Sequence, residues 1–497
     1  MHIVHISSEL SPIAKVGGLG DVIHGLSKEF MRQGHTVQII IPKYDCIEYN
    51  LLKNLKVHYR DLWSYEGPYL YNNTIWSADV DGLSILLVEP HHPNYFFSRG
   101  NIYGCHDDID RFLYFSRAVM EYLFKSGTMP DIIHVHDWPT AVIPTLLQDM
   151  YIPLGINPCK TILTLHNLEH QGHCAPKNLT QIGLRGEDYL SPNKFQDPAN
   201  LFSINLLKGG IEYATAITTV SPSYEKEIQT EPGSHGLHLV LSKHSKKIKG
   251  ILNGIDEDFW NPEKDSHLQE PFPAHLPLTS ERWKLTQAGK AQNKKHLRAL
   301  LGLEDNASPL VACITRLVHQ KSPLLIESAF RHILDAGAQC IILGSAYSEE
   351  IKTLFLDLQS EYKKSIQGRV ILDYNEALSH LIYAGSDMLI IPSLFEPCGL
   401  TQLISLRYGS IPIVRKTGGL GDTIFDIETS SHPKKDRNGF VFNEPSKEAL
   451  NLAIDRALAL WKEDPKKWQD LMKQGMTKDF SWKSSAQAYL KLYQEIT

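Results

Sequence analysis

The chain has 497 residues, 42% hydrophobic and 21% charged, so it exceeds the ~250–300 residues at which one core stops growing and is apolar enough to build two. Its formal charge is −6 with both signs mixed along the chain, which excludes a basic stripe for nucleic acid, and no run approaches the ~20 apolar residues of a membrane span. The seven cysteines (Cys46, Cys105, Cys159, Cys174, Cys313, Cys340 and Cys398) are scattered and never spaced C-x-x-C, which argues against a disulfide frame or a zinc site and for a reducing compartment.

The opening stretch "MHIVHISSELSP" alternates like a strand and lacks the basic head, apolar stretch and small-residue cleavage site of a signal peptide, so the expected location is the cytoplasm. Strand "HIVHIS", a Gly-rich turn, a helix over about 19–33 and strand "TVQIII" form one βαβ unit, which predicts a parallel sheet. "DIIHVH" followed by a helix, "KTILTLHN", and "AITTVS" followed by "PSYEKEI" repeat the pattern, and "IKGILNG" is the last strand of this half. The interval 256–297 is rich in Pro, Lys, Gln and His and lacks a convincing strand, so it reads as a linker and extended entry to a second unit. There "PLVACIT", "QCIILG", "RVILD", "DMLIIP" and "IPIV" alternate with helices beginning near Ser322, Ser348, Ala377, Leu400 and Leu420. The tail from Lys478 places Phe480, Trp482, Ala486, Tyr489, Leu490 and Tyr493 on one helix face that must pack on something, the first domain being the candidate. The predicted fold class is α/β, with two Rossmann-like doubly wound domains at 1–252 and 253–477 and the helix 478–497 returning to the first. Two such sheets facing one another would enclose a cleft at the carboxyl ends of their strands.

A duplication strengthens this reading: "KVGGLGD" from Lys15 to Asp21 and "KTGGLGD" from Lys416 to Asp422 share six of seven letters, each where a strand gives way to a helix. Glycines let backbone N–H groups approach an anion and the helix start adds partial positive charge, so the first string suits a phosphate, with Lys15 adding a point charge. The G-x-G-x-x-G fingerprint fails in both copies, because Ile23 and Ile424 stand at the third glycine, and no P-loop string exists. In "TRLVHQK", Arg316 and Lys321 sit between an apolar strand and a helix and can grip a diphosphate. In "PSLFEPCGLTQL", Glu396 lies at a strand tip to meet sugar hydroxyls, while the amides of Gly399, Leu400 and Thr401 open a helix toward a phosphate. "IIHVHDW" puts His134 and His136 on one strand face, read as hydrogen-bonded core residues, and Asp137 at the tip as a hydroxyl acceptor. "LTLHNLEHQG" ends a strand with His166 and Asn167, both able to contact sugar. Asp79 and Asp81 form a D-x-D that reads as a hairpin turn before Gly82 rather than a metal–diphosphate site. Cations and helix starts for a diphosphate, with carboxylates and amides for hydroxyls, describe a sugar-nucleotide site.

Taken together, "KVGGLGDV", "HDW", "TLHN", "LNGID", "FEPCGLTQL" and "KTGGLGDT" make the whole chain resemble the bacterial glycogen synthase and plant starch synthase family, glucosyltransferases of the two-Rossmann GT-B fold. That resemblance implies transfer of glucose from ADP-glucose to the non-reducing end of an α-1,4-glucan, with retention and with no metal or cofactor. It assigns Lys15, His166, Arg316, Lys321 and Glu396 to catalysis. Gly18, Asp21, Asp137, Asn167, Asn253, Tyr374, Cys398, Gly399, Leu400 and Thr401 are assigned to substrate binding, Tyr374 against the base. Pro139, His170 and Val16 depart from the family pattern, which bears on acceptor contacts. The competing readings are a GT-B transferase with a small acceptor, as in sucrose or trehalose phosphate synthesis, a sugar-nucleotide epimerase, a phosphorylase and a non-catalytic glucan-binding protein.

Overall fold

Short apolar runs punctuated by glycine and polar turns organise the described residues into two large sheets. The computed structural model describes residues 1–274, 277–373 and 375–497. It divides into one unit of Met1–Gly254 with Trp482–Thr497 and a second of Ile255–Ser481.

The first unit contains β1 (His2–Ile6), β2 (Thr36–Pro42), β3 (Lys53–Glu66), β4 (Tyr69–Val80), β5 (Leu83–Pro90), β6 (Ile132–His136), β7 (Lys160–Leu165), β8 (His173–Cys174), β9 (Ile204–Asn205), β10 (Ala216–Thr219) and β11 (Ile248–Gly250). Nine of these form one sheet in the order β11-β10-β7-β6-β1-β2-β5-β4-β3, while β8 and β9 make a separate two-stranded ribbon. The centre is parallel, and β4 runs antiparallel to both neighbours. Central strands such as β1 and β6 are buried on both faces, as helix-covered parallel strands must be.

The long β3–β4 ribbon has no counterpart in the sequence reading. Most side chains of β3 face solvent, and its lysines and arginine suit an edge strand, so it lacks the apolar run by which the central strands are recognised. Asp81 and Gly82, at φ 49° and 82°, form the two-residue turn from β4 to β5, so the D-x-D pair lies in a hairpin.

The C-terminal helix Trp482–Ile496 lies in the first unit. A Cβ on Gly25 would sit within the Trp482 indole, and the Tyr493 ring meets Phe30 at 5.6 Å between centroids. Phe480 instead packs on the core of the second unit, and Asn253 belongs to the first, so both residues lie across the boundary from where the sequence reading put them.

The second unit has β12 (Leu310–Ile314), β13 (Gln339–Leu343), β14 (Gly368–Ile371), β15 (Met388–Ile391), β16 (Ile411–Arg415) and β17 (Phe440–Phe442). All its pairings are parallel, in the order β14-β13-β12-β15-β16-β17. Counted within the unit this is 3-2-1-4-5-6, the doubly wound order whose direction reverses between its first and fourth strands.

The supposed linker is a correction. Residues Ser280–Leu301 form a 22-residue helix whose covered face carries Thr286, Gly289, Lys290, Asn293, Leu297 and Arg298. That face is largely polar, so hydrophobic periodicity misses it. Lys290 Nζ donates to the carbonyls of Ala384 and Tyr408, both at 2.8 Å, where two helices end. Upstream, the Asp265 carboxylate accepts from His380 Nδ1 at 2.7 Å and from the Tyr408 hydroxyl at 2.5 Å. The interval is thus part of the second core. No helix among the described residues is long and apolar enough to cross a membrane.

Candidate active site

In an open α/β sheet, ligands bind outside the carboxyl ends of the strands where the winding reverses. In the first unit that point lies between β1 and β6, because β2 and β5 follow on one side and β7 and β10 on the other. The loop after β1 carries the first glycine string, and β6 delivers Asp137.

Gly17 caps the helix Gly18–Arg32 and Gly20 lets that helix approach Ser11, whose backbone nitrogen lies 2.9 Å from an added Cβ. The amides of Val16 and Gly17 are already used: both donate to Glu9 Oε2, at 2.7 and 3.0 Å. The Tyr103 hydroxyl donates to Glu9 Oε1 at 2.8 Å, completing a buried brace. These two amides are thus held by the protein's own carboxylate. Lys15 remains exposed and pairs with Asp21 at 2.9 Å, so two predicted site residues meet each other.

Asp137 has a left-handed backbone, φ 52°, at the β6 tip. Its Oδ1 accepts the His166 backbone N–H at 2.7 Å, and burial raises its carboxyl to about 7 against the opposing pull of the His166 and Asn167 amides. The carboxylate therefore spends one oxygen joining the β6 and β7 tips. Asn167 Oδ1 accepts the Glu169 N–H at 3.0 Å, holding the turn. Asn253 is buried, and its Oδ1 has no partner among the described residues.

Behind His166 lies a column of histidines on one sheet face. His5 Nδ1 is 3.2 Å from His136 Nε2, and His136 Nδ1 is 3.1 Å from His166 Nε2. His134 is satisfied at both nitrogens, by the Tyr493 hydroxyl at 2.7 Å and Thr164 Oγ1 at 2.6 Å. Burial lowers all four imidazoles, His5 and His166 to about 3. Nitrogens of His5, His134 and His136 lie within 4.8 Å of one another. Yet the His134 and His136 rings stack at 4.3 Å and 27°, and their nitrogens are engaged in hydrogen bonds, so their lone pairs do not converge on an ion.

The second unit reverses between β12 and β15. The loop after β12 holds exposed Arg316 and then Lys321; the loop after β15 holds Glu396. Lys321 Nζ and Glu396 Oε2 form a short ion pair, and Ser393 Oγ donates to the same oxygen at 2.9 Å. Gly399, at φ 73°, turns the chain into the helix Thr401–Arg407 through Leu400, with Cys398 buried beneath. Gln402 Nε2 donates to the Gly399 carbonyl at 2.8 Å and the Cys398 carbonyl at 3.1 Å. Tyr374, expected against the base, lies outside the described residues.

The second glycine string lies under this loop. The Gly419 N–H donates to the Glu396 carbonyl at 3.0 Å, and an added Cβ at Gly418 would fall 2.0 Å from that same oxygen. Glu9, Tyr103, Ser393 and Gln402 were missed by sequence reasoning. A lone acid, hydroxyl or amide carries no signal until the fold shows what it holds.

A starch synthase catalytic domain model matches residues 2–243 and a glycosyl transferases group 1 model matches 282–474. A glycogen synthase from Protochlamydia amoebophila is 48% identical over 501 residues, covering 100% of this chain and 99% of that protein. The chain belongs to the glycogen synthase and starch synthase family. It is thus a glucosyltransferase of the GT-B type. A probable starch synthase 4 from Arabidopsis thaliana is 46% identical across 99% of this chain, which spans 47% of the plant protein. The solved catalytic domain of starch synthase IV from the same plant, bound to ADP and acarbose, matches with a TM-score of 0.95 and 46% identity, covering 100% of this chain and 99% of that one.

Proposed function

We propose that the chain transfers glucose from ADP-glucose to the non-reducing end of an α-1,4-glucan in the cytoplasm, with retention and without a metal. The observation that carries this reading is the Lys321–Glu396–Ser393 group at the reversal point of the second sheet, beside the helix start at Gly399–Thr401. The similarity to a glycogen synthase and to a starch synthase domain bound to ADP and acarbose supports these donor and acceptor classes.

In the second unit Arg316 and Lys321 hold the diphosphate, Glu396 takes glucose hydroxyls, Cys398 lines the loop, and the amides of Gly399, Leu400 and Thr401 face the distal phosphate. Lys321 and Glu396 are ion-paired, and in this reading donor binding exchanges that pair for phosphate and hydroxyl contacts. In the first unit Lys15 leaves Asp21 to add charge to the leaving group, while Asp137, His166, Asn167 and Asn253 serve the sugar, Gly18 opening the helix beside them. The bond from the anomeric carbon to the phosphate oxygen breaks and one to the acceptor 4-oxygen forms on the same face. The acceptor hydroxyl proton passes to the departing phosphate oxygen. Negative charge grows on ADP as the ring becomes cationic, so preorganised cations and amides lower the barrier without reorganising. Three cationic side chains and a helix start supply the neutralisation for which other transferases use a metal.

The test is glucose incorporation into glycogen in EDTA, with ADP-glucose and UDP-glucose in parallel, followed by linkage analysis. Incorporation from ADP-glucose into α-1,4 linkages is expected. Incorporation from UDP-glucose alone would overturn the donor, and dependence on added metal would overturn the metal-free chemistry.

A further inference from the structure

The first unit places two linked imidazoles, His5 and His136, behind His166, and the proposed reaction uses neither. His5 on β1 and His136 on β6 share a sheet face, and His166 follows β7 on that face, so strand alternation brings the rings into line. The links are His5 Nδ1 to His136 Nε2 at 3.2 Å and His136 Nδ1 to His166 Nε2 at 3.1 Å.

A neutral imidazole carries one donor and one acceptor, so two consecutive links leave only two consistent arrangements. Either every ring holds its proton on Nδ1 and donates toward His166, or every ring holds it on Nε2 and donates toward His5. The free end of the chain distinguishes them. His5 is fully buried, and its Nε2 has no partner among the described residues. In the second arrangement that atom is an orphaned N–H donor in the core, a situation folded proteins rarely tolerate. In the first it is only a bare acceptor. Burial holds His5 and His136 neutral, which keeps a doubly protonated ring from breaking the logic. The column is also braced: His134, stacked on His136, is pinned by Tyr493 from the C-terminal helix and by Thr164.

We infer that His5 and His136 are positioning residues that fix the proton of His166 on Nδ1, presenting that ring as a hydrogen-bond donor to an oxygen of the bound sugar nucleotide. A donor is the useful polarity where negative charge grows on substrate oxygen. An acceptor there would lose strength as the reaction proceeds. The catalytic part rests on the proposed placement of His166 beside the sugar; the tautomer rests on the protein alone.

Two measurements separate these parts. Long-range ¹⁵N–¹H correlation of the histidine-labelled native protein reads which ring nitrogen carries hydrogen. Nδ1–H at His5, His136 and His166 is expected, and Nε2–H at His166 overturns the inference whatever the activity. His136→Phe keeps a ring but deletes both links. It should lower kcat about tenfold, at the lower end of what loss of an outer-shell partner costs, with the donor KM unchanged. His136→Gln, which retains a donor and an acceptor, should recover most of that loss. His5→Phe breaks only the first link and tests the relay if His136→Phe does not fold. A folded His136→Phe with native kcat, or with a raised KM alone, overturns the positioning role. Failure of the unsubstituted chain to transfer glucose with Nδ1–H present would overturn the catalytic half together with the proposed function.

Discussion

The two glycine strings differ by one letter in seven and occupy the same kind of strand-to-helix turn, yet they have different surroundings. Around the first, Gly17 has open space, Lys15 is exposed, and a buried carboxylate, Glu9, organises the loop from below. Around the second, Gly418 and Gly419 are buried and an added Cβ on either would strike a carbonyl of the Glu396–Cys398 loop at 2.0 Å. One string displays a cation; the other is the bed on which the neighbouring loop lies. A glycine permits close approach, and the fold decides what approaches.

The strongest way to break this comparison is acid, because a histidine column lies behind the first string while β12, β15 and β16 behind the second carry no histidine. His5, His134 and His136 have folded values below the unfolded ~6.5, so the unfolded chain takes up protons first. Their stabilising contribution is present above about pH 6.5. It is lost as pH falls below that value, for His5 down toward about 3, by about 1.4 kcal/mol per pH unit for each further proton the unfolded chain binds. Limited proteolysis on a descending pH series should release first-unit peptides before second-unit ones; the reverse order would refute the assignment.

Next in size is the pair of lysines. Lys15→Ala should cost about 10²–10³ in kcat, as loss of a preorganised charge donor does, with little change in Tm because its ion pair with Asp21 is half-exposed. Lys416→Ala should leave kcat within about twofold, since the bed needs its glycines and not its cation. Equal losses at the two lysines would mean both strings touch phosphate.

The smallest effects come from the glycines. Gly418→Ala meets a positive φ of 44° and the Glu396 carbonyl, and should lose about 2–3 kcal/mol in urea unfolding together with activity. Gly17→Ala, at φ −145° with nothing within 4 Å, should stay within about 0.5 kcal/mol. Similar losses at both would erase the distinction.

Much of the architecture was legible from local pattern. β1, β2, β6, β7, β12, β13 and β15 are apolar runs ending in polar turns, and a strand buried on both faces needs such a run wherever it occurs. Lys15, Asp137, His166, Arg316 and Glu396 were likewise locatable, because each follows such a strand. The helix Ser280–Leu301 was not, since Lys290 and Asn293 are buried against carbonyls rather than apolar side chains, and no periodicity records that. Nor was the β3–β4 ribbon, whose solvated edge has no apolar signature.

The amino-acid sequence by itself therefore determined the two α/β series, the strand tips that bear the chemistry and the family motifs, all of which depend on neighbours within a few residues. Tertiary structure alone decided which partner each group meets: Glu9 under the first string, Glu396 over the second, and His5 and His136 behind His166. Those contacts join residues tens to more than a hundred positions apart or turn on loop paths, and hydrogen bonding depends on distance and direction in space, which residue order does not encode.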